Sequence, residues 1–241
     1  MNYISKINGI FKFVFQQYCI HLLLTQLPHT LGQRISSKGL KMRFQLAAVS
    51  FLVLTQTVFA ADTAPDASAL ISPDVVAEAR SWLANPIVAL SVNAQNDMRG
   101  QLAQSEIDAL DTQWRDEREA DDKPLISATL SAPLSIYLLR IQAKSVGLYP
   151  EIFIMDANGL NVGQSSITGD YWQGDEAKFQ KTFPMGADAV FIDEPEWDDT
   201  NKIWRVQMNM SIADPESGDT IGAATVEYNL TELQRRMSTG S

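Results

Sequence analysis

The chain has 241 residues, 45% of them hydrophobic, with 29 acidic against 19 basic side chains and a formal net charge of −10. All the acids fall after residue 60, whereas Lys6, Lys12, Arg34, Lys38, Lys41 and Arg43 precede it; the remainder carries roughly −16, which excludes nucleic acid and anionic lipid as expected partners. Cys19, His21 and His29 also lie in the first stretch, so the rest has no disulfide, no thiolate or imidazole metal ligand and no nucleophile activated by histidine.

From Met42 the chain reads "MRFQLAAVSFLVLTQTVFAADTAP": one basic residue, an apolar run from Leu46 to Leu54, then small residues at Ala60 and Ala61. This is the layout of a secretory leader, residues 42–60, with cleavage expected after Ala60 and a periplasmic product that keeps no membrane anchor. The apolar run is shorter than the roughly 20 residues of a spanning helix. Residues 1–41 are then an upstream extension outside the fold; the other reading of Phe11 to Leu27 is an amphipathic or membrane-inserting segment. Cys19, upstream of the leader, is no lipoprotein anchor.

Residues 61–72, "ADTAPDASALIS", read as a flexible mature N-terminus. Ser72-Pro73-Asp74 is an N-cap with proline at the first helical position, and Val75, Val76, Ala79, Trp82 and Leu83 recur at helical spacing, predicting a helix over 73–84. Asn85-Pro86 ends it. A second helix starts at Pro86 with Ile87, Leu90, Ala94 and Met98 on one stripe and closes at Gly100. Ser105 to Asp108 resembles a capping sequence, with Ile107, Leu110 and Trp114 on one face of a third helix or a continuation of the second. After "EADDKP", Leu130, Leu134, Leu138 and Ile141 predict a helix over 125–146 that Gly147 terminates.

The period then changes. "EIFIMD" and "LNVGQSS" flank Ala157-Asn158-Gly159, a hairpin signal. Strands follow in "ADAVFIDEPEW", in "KIWRVQMNMSIA" after the turn "DDTN", and in "TIGAATVEYNL" after the turn "DPESGD"; "TELQRRM" closes as a helix capped by Thr231. The expectation is an α+β fold, a helical region packed on about five antiparallel strands, in one domain over residues 73–241.

In this order, "FIMDANGLNVGQS", the acidic and aromatic segment "TGDYWQGDEAKFQKTF", and "GDTIGAATVEYNLTEL" resemble the PAS-like Cache (PDC) domains, extracytoplasmic sensor modules of bacteria. Asp156-Ala157-Asn158-Gly159 matches the hairpin turn of that family, and Ile221-Gly222 with Val226 its final strand. The resemblance spans residues 73 to 236. It implies a PAS-like sheet and a small-molecule pocket lined by Tyr171, Trp172, Asp175, Lys178 and Phe179, with Asp193 on the next strand as a pocket acid. Amino-acid-binding members carry an arginine shortly before a tryptophan in this helix; here the matching places hold Asp175 or Glu176 and Lys178 or Phe179.

Aromatic faces beside carboxylates suit a cation, and Asp193 tilts the expected ligand towards an amine or small polar compound, whereas Lys178 favours an anionic group. The plainer reading packs Phe179 and Phe183 on the sheet at i and i+4, with Asp175, Glu176, Lys178 and Lys181 solvated. The resemblance implies a free-standing periplasmic binding module that signals through a membrane-bound partner such as a histidine kinase or a cyclase. The alternatives are a carboxylate-dependent hydrolase of cell-envelope sugars and a structural interaction protein.

Other motifs carry less. Asp188, Asp193, Glu194, Glu196, Asp198 and Asp199 form the densest acid cluster, but Asp193 and Glu194 are adjacent on a predicted strand and would face opposite sides. "DDTN" and "DPESGD" lack EF-hand spacing, and there is neither a glycine-rich phosphate loop nor a dinucleotide fingerprint. No cofactor, metal site or catalytic residue is expected.

Overall fold

The computed structural model describes residues 63 to 239. The expected upstream extension, leader and cleavage after Ala60 lie outside the described residues. The helical half begins earlier than its sequence suggests. Ala67–Leu70 (α1) forms a turn capped by Asp66, whose Oδ1 accepts from the N–H groups of Ser68 and Ala69. Ala67 and Ile71 are buried, so this part of the expected flexible N-terminus is anchored in the core.

Pro73–Leu83 (α2) is capped by Ser72 and Pro86–Arg99 (α3) by Asn85, each with proline opening the helix. Gly100, at φ 58°, ends α3 in the left-handed region that favours glycine. The buried face of α3 is not the predicted stripe: Val88 and Val92 are fully buried, while Leu90 and Met98 are 66% and 73% exposed. The inward face is completed by amides. Gln95 donates to Asp156, Asn96 donates to the Ile221 carbonyl and accepts from Ala157 N–H, and Asn93 donates to Asp214.

Gln104–Glu119 (α4) is a separate helix, with Glu106 reaching back to accept from the Ala103 N–H. The single helix expected over 125–146 is two, Pro124–Ser131 (α5) and Pro133–Lys144 (α6), bent by 67°. Pro133 forces the residue before it out of helical backbone, and Ala132 is extended at ψ 143°. Among the described residues no single helix is long and apolar enough to cross a membrane. The α5–α6 pair passes that test only together, and it buries Ile126, Leu134 and Leu138 inside the fold.

The sheet has six strands: Ile152–Met155 (β1), Asn161–Gln164 (β2), Val190–Ile192 (β3), Glu196–Asp198 (β4), Ile203–Ala213 (β5) and Thr220–Asn229 (β6). The order is β2-β1-β6-β5-β3, all antiparallel, with β4 also paired to β5. The predicted strand over "ADAVFIDEPEW" is therefore split. Pro195 has no N–H for a ladder, and the Asp193 carboxylate takes the Glu194 N–H instead. The α+β class is as expected, with one strand more.

In the β1–β2 hairpin, Asp156 Oδ1 accepts from Asn158 N–H at 2.8 Å and Leu160 N–H at 2.9 Å, and Gly159 sits at φ 79°. Leu230–Thr239 (α8) ends the described chain. Asn229, not Thr231, caps it by accepting from Glu232 N–H; the Thr231 hydroxyl accepts from Trp204 N–H on β5.

The two faces of the sheet differ. Ile152, Ile154, Val206, Met208, Met210, Ala224, Val226 and Tyr228 pack with Val88, Val92, Leu134 and Leu138 into one core. Each fully buried Val, Leu, Ile or Met among them stabilises the fold by about 1.5–3 kcal/mol. The opposite face carries Phe153 and Met155 on β1, Arg205, Gln207, Asn209 and Ser211 on β5, and Ala223, Thr225 and Glu227 on β6, by the two-residue alternation of strands.

Candidate functional site

The polar face of β5 and β6 is covered by the segment after β2. This segment crosses the sheet through Ala177–Gln180 (α7) and the 3-10 turn Phe183–Met185. Phe179 and Phe183 stack at 5.0 Å between ring centres, and Phe179 packs with Phe153, Met155 and Ala223. These apolar contacts press a four-residue helix onto the sheet. Asn209, Thr225 and Thr182 become fully buried, with Thr225 Oγ1 donating to Asn209 Oδ1 at 2.7 Å and Thr182 Oγ1 to the Lys178 carbonyl.

Beside this contact a cavity of about 230 Å³ remains. Lys178 and Glu176 enter it from α7 and its N-terminal edge, Asp193, Glu194 and Glu196 from the interrupted edge strand, and Arg205, Gln207 and Glu227 from β5 and β6. Five carboxylates face two cations. Lys178, buried, lies 3.0 Å from Glu176 and donates to Gln173 Oε1 at 3.1 Å. The Arg205 guanidinium reaches Glu227 at 3.4 Å and Glu196 at 3.5 Å. Its Nε is buried with no hydrogen-bond partner among the described residues.

Burial raises the Glu227 carboxyl above the ordinary range, against the pull of Arg205. Glu151, opposite Glu227 across the β1–β6 ladder, is pushed up to about 7, mainly by burial, with the Ser166 hydroxyl opposing and the charge of Glu227 adding to the rise.

The pocket wall expected over residues 171 to 193 is divided between three places. Lys178 and Asp193 line the cavity just described. Phe179 holds α7 to the sheet beside it. Trp172 and Asp175 line a different cavity of about 370 Å³, with Asp108, Asp111, Arg115 and Asp170 on α4 and the neighbouring loop. Tyr171 is 2% exposed and belongs to a second core, stacked on Trp114 at 5.1 Å. Glu176 lines both cavities and pairs with Lys178, its side chain 42% exposed.

Two sequence expectations are corrected here. Asp193 and Glu194 line the same cavity, because β3 ends at Ile192 and strand alternation no longer separates them. Lys178, expected in solvent on the plainer reading, is buried.

Arg205, Gln207 and Glu227 were not among the predicted site residues. Their signal was the alternation on β5 and β6, which gives Arg, Gln, Asn and Ser one side of a strand. Alternation of this kind ordinarily marks a solvated face; only the crossing segment turns it into a lining.

No protein-family model matches the chain, and no curated protein matches its sequence. Among solved structures the chain is similar to ligand-binding domains of chemoreceptors. One is that of the Pseudomonas aeruginosa amino-acid chemoreceptor PctC in complex with GABA, at 15% identity over 67% of this chain and 62% of that one, TM-score 0.35. Another is that of Campylobacter jejuni Tlp3 in complex with 4-methylisoleucine, at 15% identity over 65% and 62%, TM-score 0.34. A third is that of Pseudomonas fluorescens CtaA in complex with L-alanine, at 12% identity over 66% and 57%, TM-score 0.31. The chain thus spans less than two thirds of the length of each of these structures.

Proposed function

We propose that this protein is a periplasmic small-molecule-binding module, that its ligand carries an ammonium group, and that it signals through a separate membrane-bound partner such as a histidine kinase or a cyclase. The observation that carries the ligand class is the imbalance of charge in the cavity of about 230 Å³, where Glu176, Asp193, Glu194, Glu196 and Glu227 face only Lys178 and Arg205. A cation entering it relieves repulsion among the carboxylates and gains charge-assisted hydrogen bonds.

The enclosing walls favour a binding role. α7 is a four-residue helix held chiefly by Phe179 and Phe183, a segment small enough to shift when a ligand seats against Lys178. Such a shift transmits a signal only if the partner binds one of the two arrangements more tightly.

The test is thermal unfolding of the purified protein against amines, amino acids, organic acids and sugars. A ligand at about 100 times its Kd adds roughly 2.7 kcal/mol of stability. The expected outcome is stabilisation by ammonium compounds that Asp193→Asn cuts by about half or more without lowering the unliganded melting point. Stabilisation by sugars alone, or by nothing, would overturn the ligand class.

A further inference from the structure

Four residues stand in one row across the sheet, Glu227 on β6 and Gln207 on β5, with Glu151 just before β1 and Asp193 just after β3. Glu227 N–H donates to the Glu151 carbonyl at 2.8 Å, Glu227 pairs with Gln207, and Asp193 N–H donates to the Gln207 carbonyl at 2.9 Å. The row therefore runs Glu151, Glu227, Gln207, Asp193. Glu151 and Glu227 are direct cross-strand neighbours on one face, a placement that is unfavourable when both are charged.

The surroundings supply too little positive charge to offset this. From α7 the Lys178 ammonium is engaged by Glu176 and Gln173. From β5 the Arg205 guanidinium is shared between Glu227 and Glu196, at 3.4 and 3.5 Å. Glu194 and Asp198 add negative charge from the edge strand, and Asp198 further raises Glu227. The Glu151 carboxyl accepts from the neutral Ser166 hydroxyl at 2.9 Å, and the charges of Lys178 and Arg205 oppose its rise without outweighing burial.

Resting on the ammonium-binding reading above, we infer that Glu151 holds a proton beside the Glu227 carboxylate in the unliganded protein and releases it when a cation seats against the row. Cation uptake and proton release are then one equilibrium: R–NH₃⁺ enters, H⁺ leaves to solvent, and the net charge of the site is unchanged. Glu227 and Asp193 face the ligand from the cavity wall, whereas Glu151 acts from behind Glu227 as the proton holder. A carboxyl beside a carboxylate loses its proton at higher pH, and a cation that offsets the neighbouring charge lowers that pH again. The raised Glu151 carboxyl, at about 7, agrees with the geometry. The affinity for cations should therefore rise about tenfold between pH 6 and pH 8.

Two measurements on the whole protein test this. In the first, ¹³C NMR of glutamate carboxyl carbons is followed through a pH titration without ligand. One resonance with a midpoint near neutrality is expected, lost in Glu151→Gln; titration of every glutamate below about pH 5.5 would overturn the proposal whatever binds. In the second, ethanolamine and 4-aminobutanol are titrated calorimetrically at pH 6 and pH 8, in phosphate and in MOPS, whose different ionisation heats report the protons released. The expected result is tenfold tighter binding at pH 8, proton release at pH 6, and loss of both effects in Glu151→Gln with binding retained. Equal affinity at both pH values without proton release leaves the ammonium site standing and removes the coupling. Absence of binding by either amine at both pH values removes the ammonium site, and the coupling with it.

Discussion

Asp111 holds the backbone of Trp172 to helix α4: its Oδ1 accepts from Trp172 N–H at 3.1 Å and, at the same time, from Tyr171 N–H at 2.9 Å. Asp111 is 6% exposed and is itself paired with Arg115 at 2.7 Å. One side chain thus fixes the entry to the whole segment that later covers the sheet. Asp111→Ala leaves two N–H groups without an acceptor and should cost about 2–3 kcal/mol in urea unfolding. Asp111→Asn, which retains an acceptor oxygen, should cost less than half of that.

Trp172 and Asp193 should separate cleanly in their effects. The Trp172 indole donates to the Asn158 carbonyl at 2.9 Å and packs against Gly174, tying the segment to the hairpin turn, but it does not line the cavity that holds Asp193. Trp172→Ala should therefore lower stability by about 2 kcal/mol, reduced from a core value by its partial exposure, and change ammonium affinity less than about threefold. Asp193→Asn should reverse the pattern: melting unchanged within a degree or so, and affinity weakened by roughly 10-fold or more through loss of a charge-assisted contact. Equal loss of affinity in both variants would mean that the two cavities act as one site.

The close approach of β6 to β1 gives a third expectation. A Cβ built on Gly222 would lie 2.2 Å from the Met155 carbonyl oxygen and 3.1 Å from Val92 Cγ1. The oxygen belongs to backbone in the β1–β6 ladder, next to the pair Met155 and Ala223, so it cannot swing aside as a side chain would. Gly222→Ala should cost about 2–3 kcal/mol and lower the melting point by roughly 5–10 °C. An unchanged melting point would show that the strand can move away from the hairpin.

Where sequence and structure part, the reasons are physical and local. The hairpin at Asp156 to Gly159, the polar alternation along β5 and the helix starts at Ser72-Pro73 and Asn85-Pro86 were readable because each rests on backbone chemistry within a few residues. The inner face of α3 was not. Counting apolar residues selects Leu90 and Met98, yet the helix turns Gln95 and Asn96 inward because Asp156, the Ala157 N–H and the Ile221 carbonyl need partners, a demand set by residues some 60 and 125 positions away.

The site was half readable for the same reason. Lys178 and Asp193 lie in segments whose role the family resemblance suggests, whereas Arg205 and Glu227 look solvated until the crossing of α7 over the sheet is known. Tyr171 and Trp172 stand in the sequence as aromatics beside Asp170 and Asp175. Their ring partners, Trp114 for Tyr171 and Gly174 for Trp172, are contacts that residue type does not announce.

The dependence of stability on pH follows from Glu151. Its carboxyl is raised by burial from 4.5 to about 7 in the folded chain. Between those values the folded chain keeps a proton that the unfolded chain has released, so stability is greatest below about pH 4.5 for this group and declines as pH rises through 7. The full decline amounts to at most about 3 kcal/mol, and Glu227, raised in the same direction by burial, adds to it. Other carboxyls titrate too, and the informative quantity is therefore the difference between Glu151→Gln and the parent chain, measured by urea unfolding from pH 5 to pH 8. That difference should grow in favour of the glutamine variant by about 2–3 kcal/mol across the range, since glutamine keeps an acceptor for the Ser166 hydroxyl and has no charge to bury. A difference that stays flat from pH 5 to pH 8 would mean that the Glu151 carboxyl ionises at its ordinary pH, and that water or Lys178 compensates its charge beside Glu227.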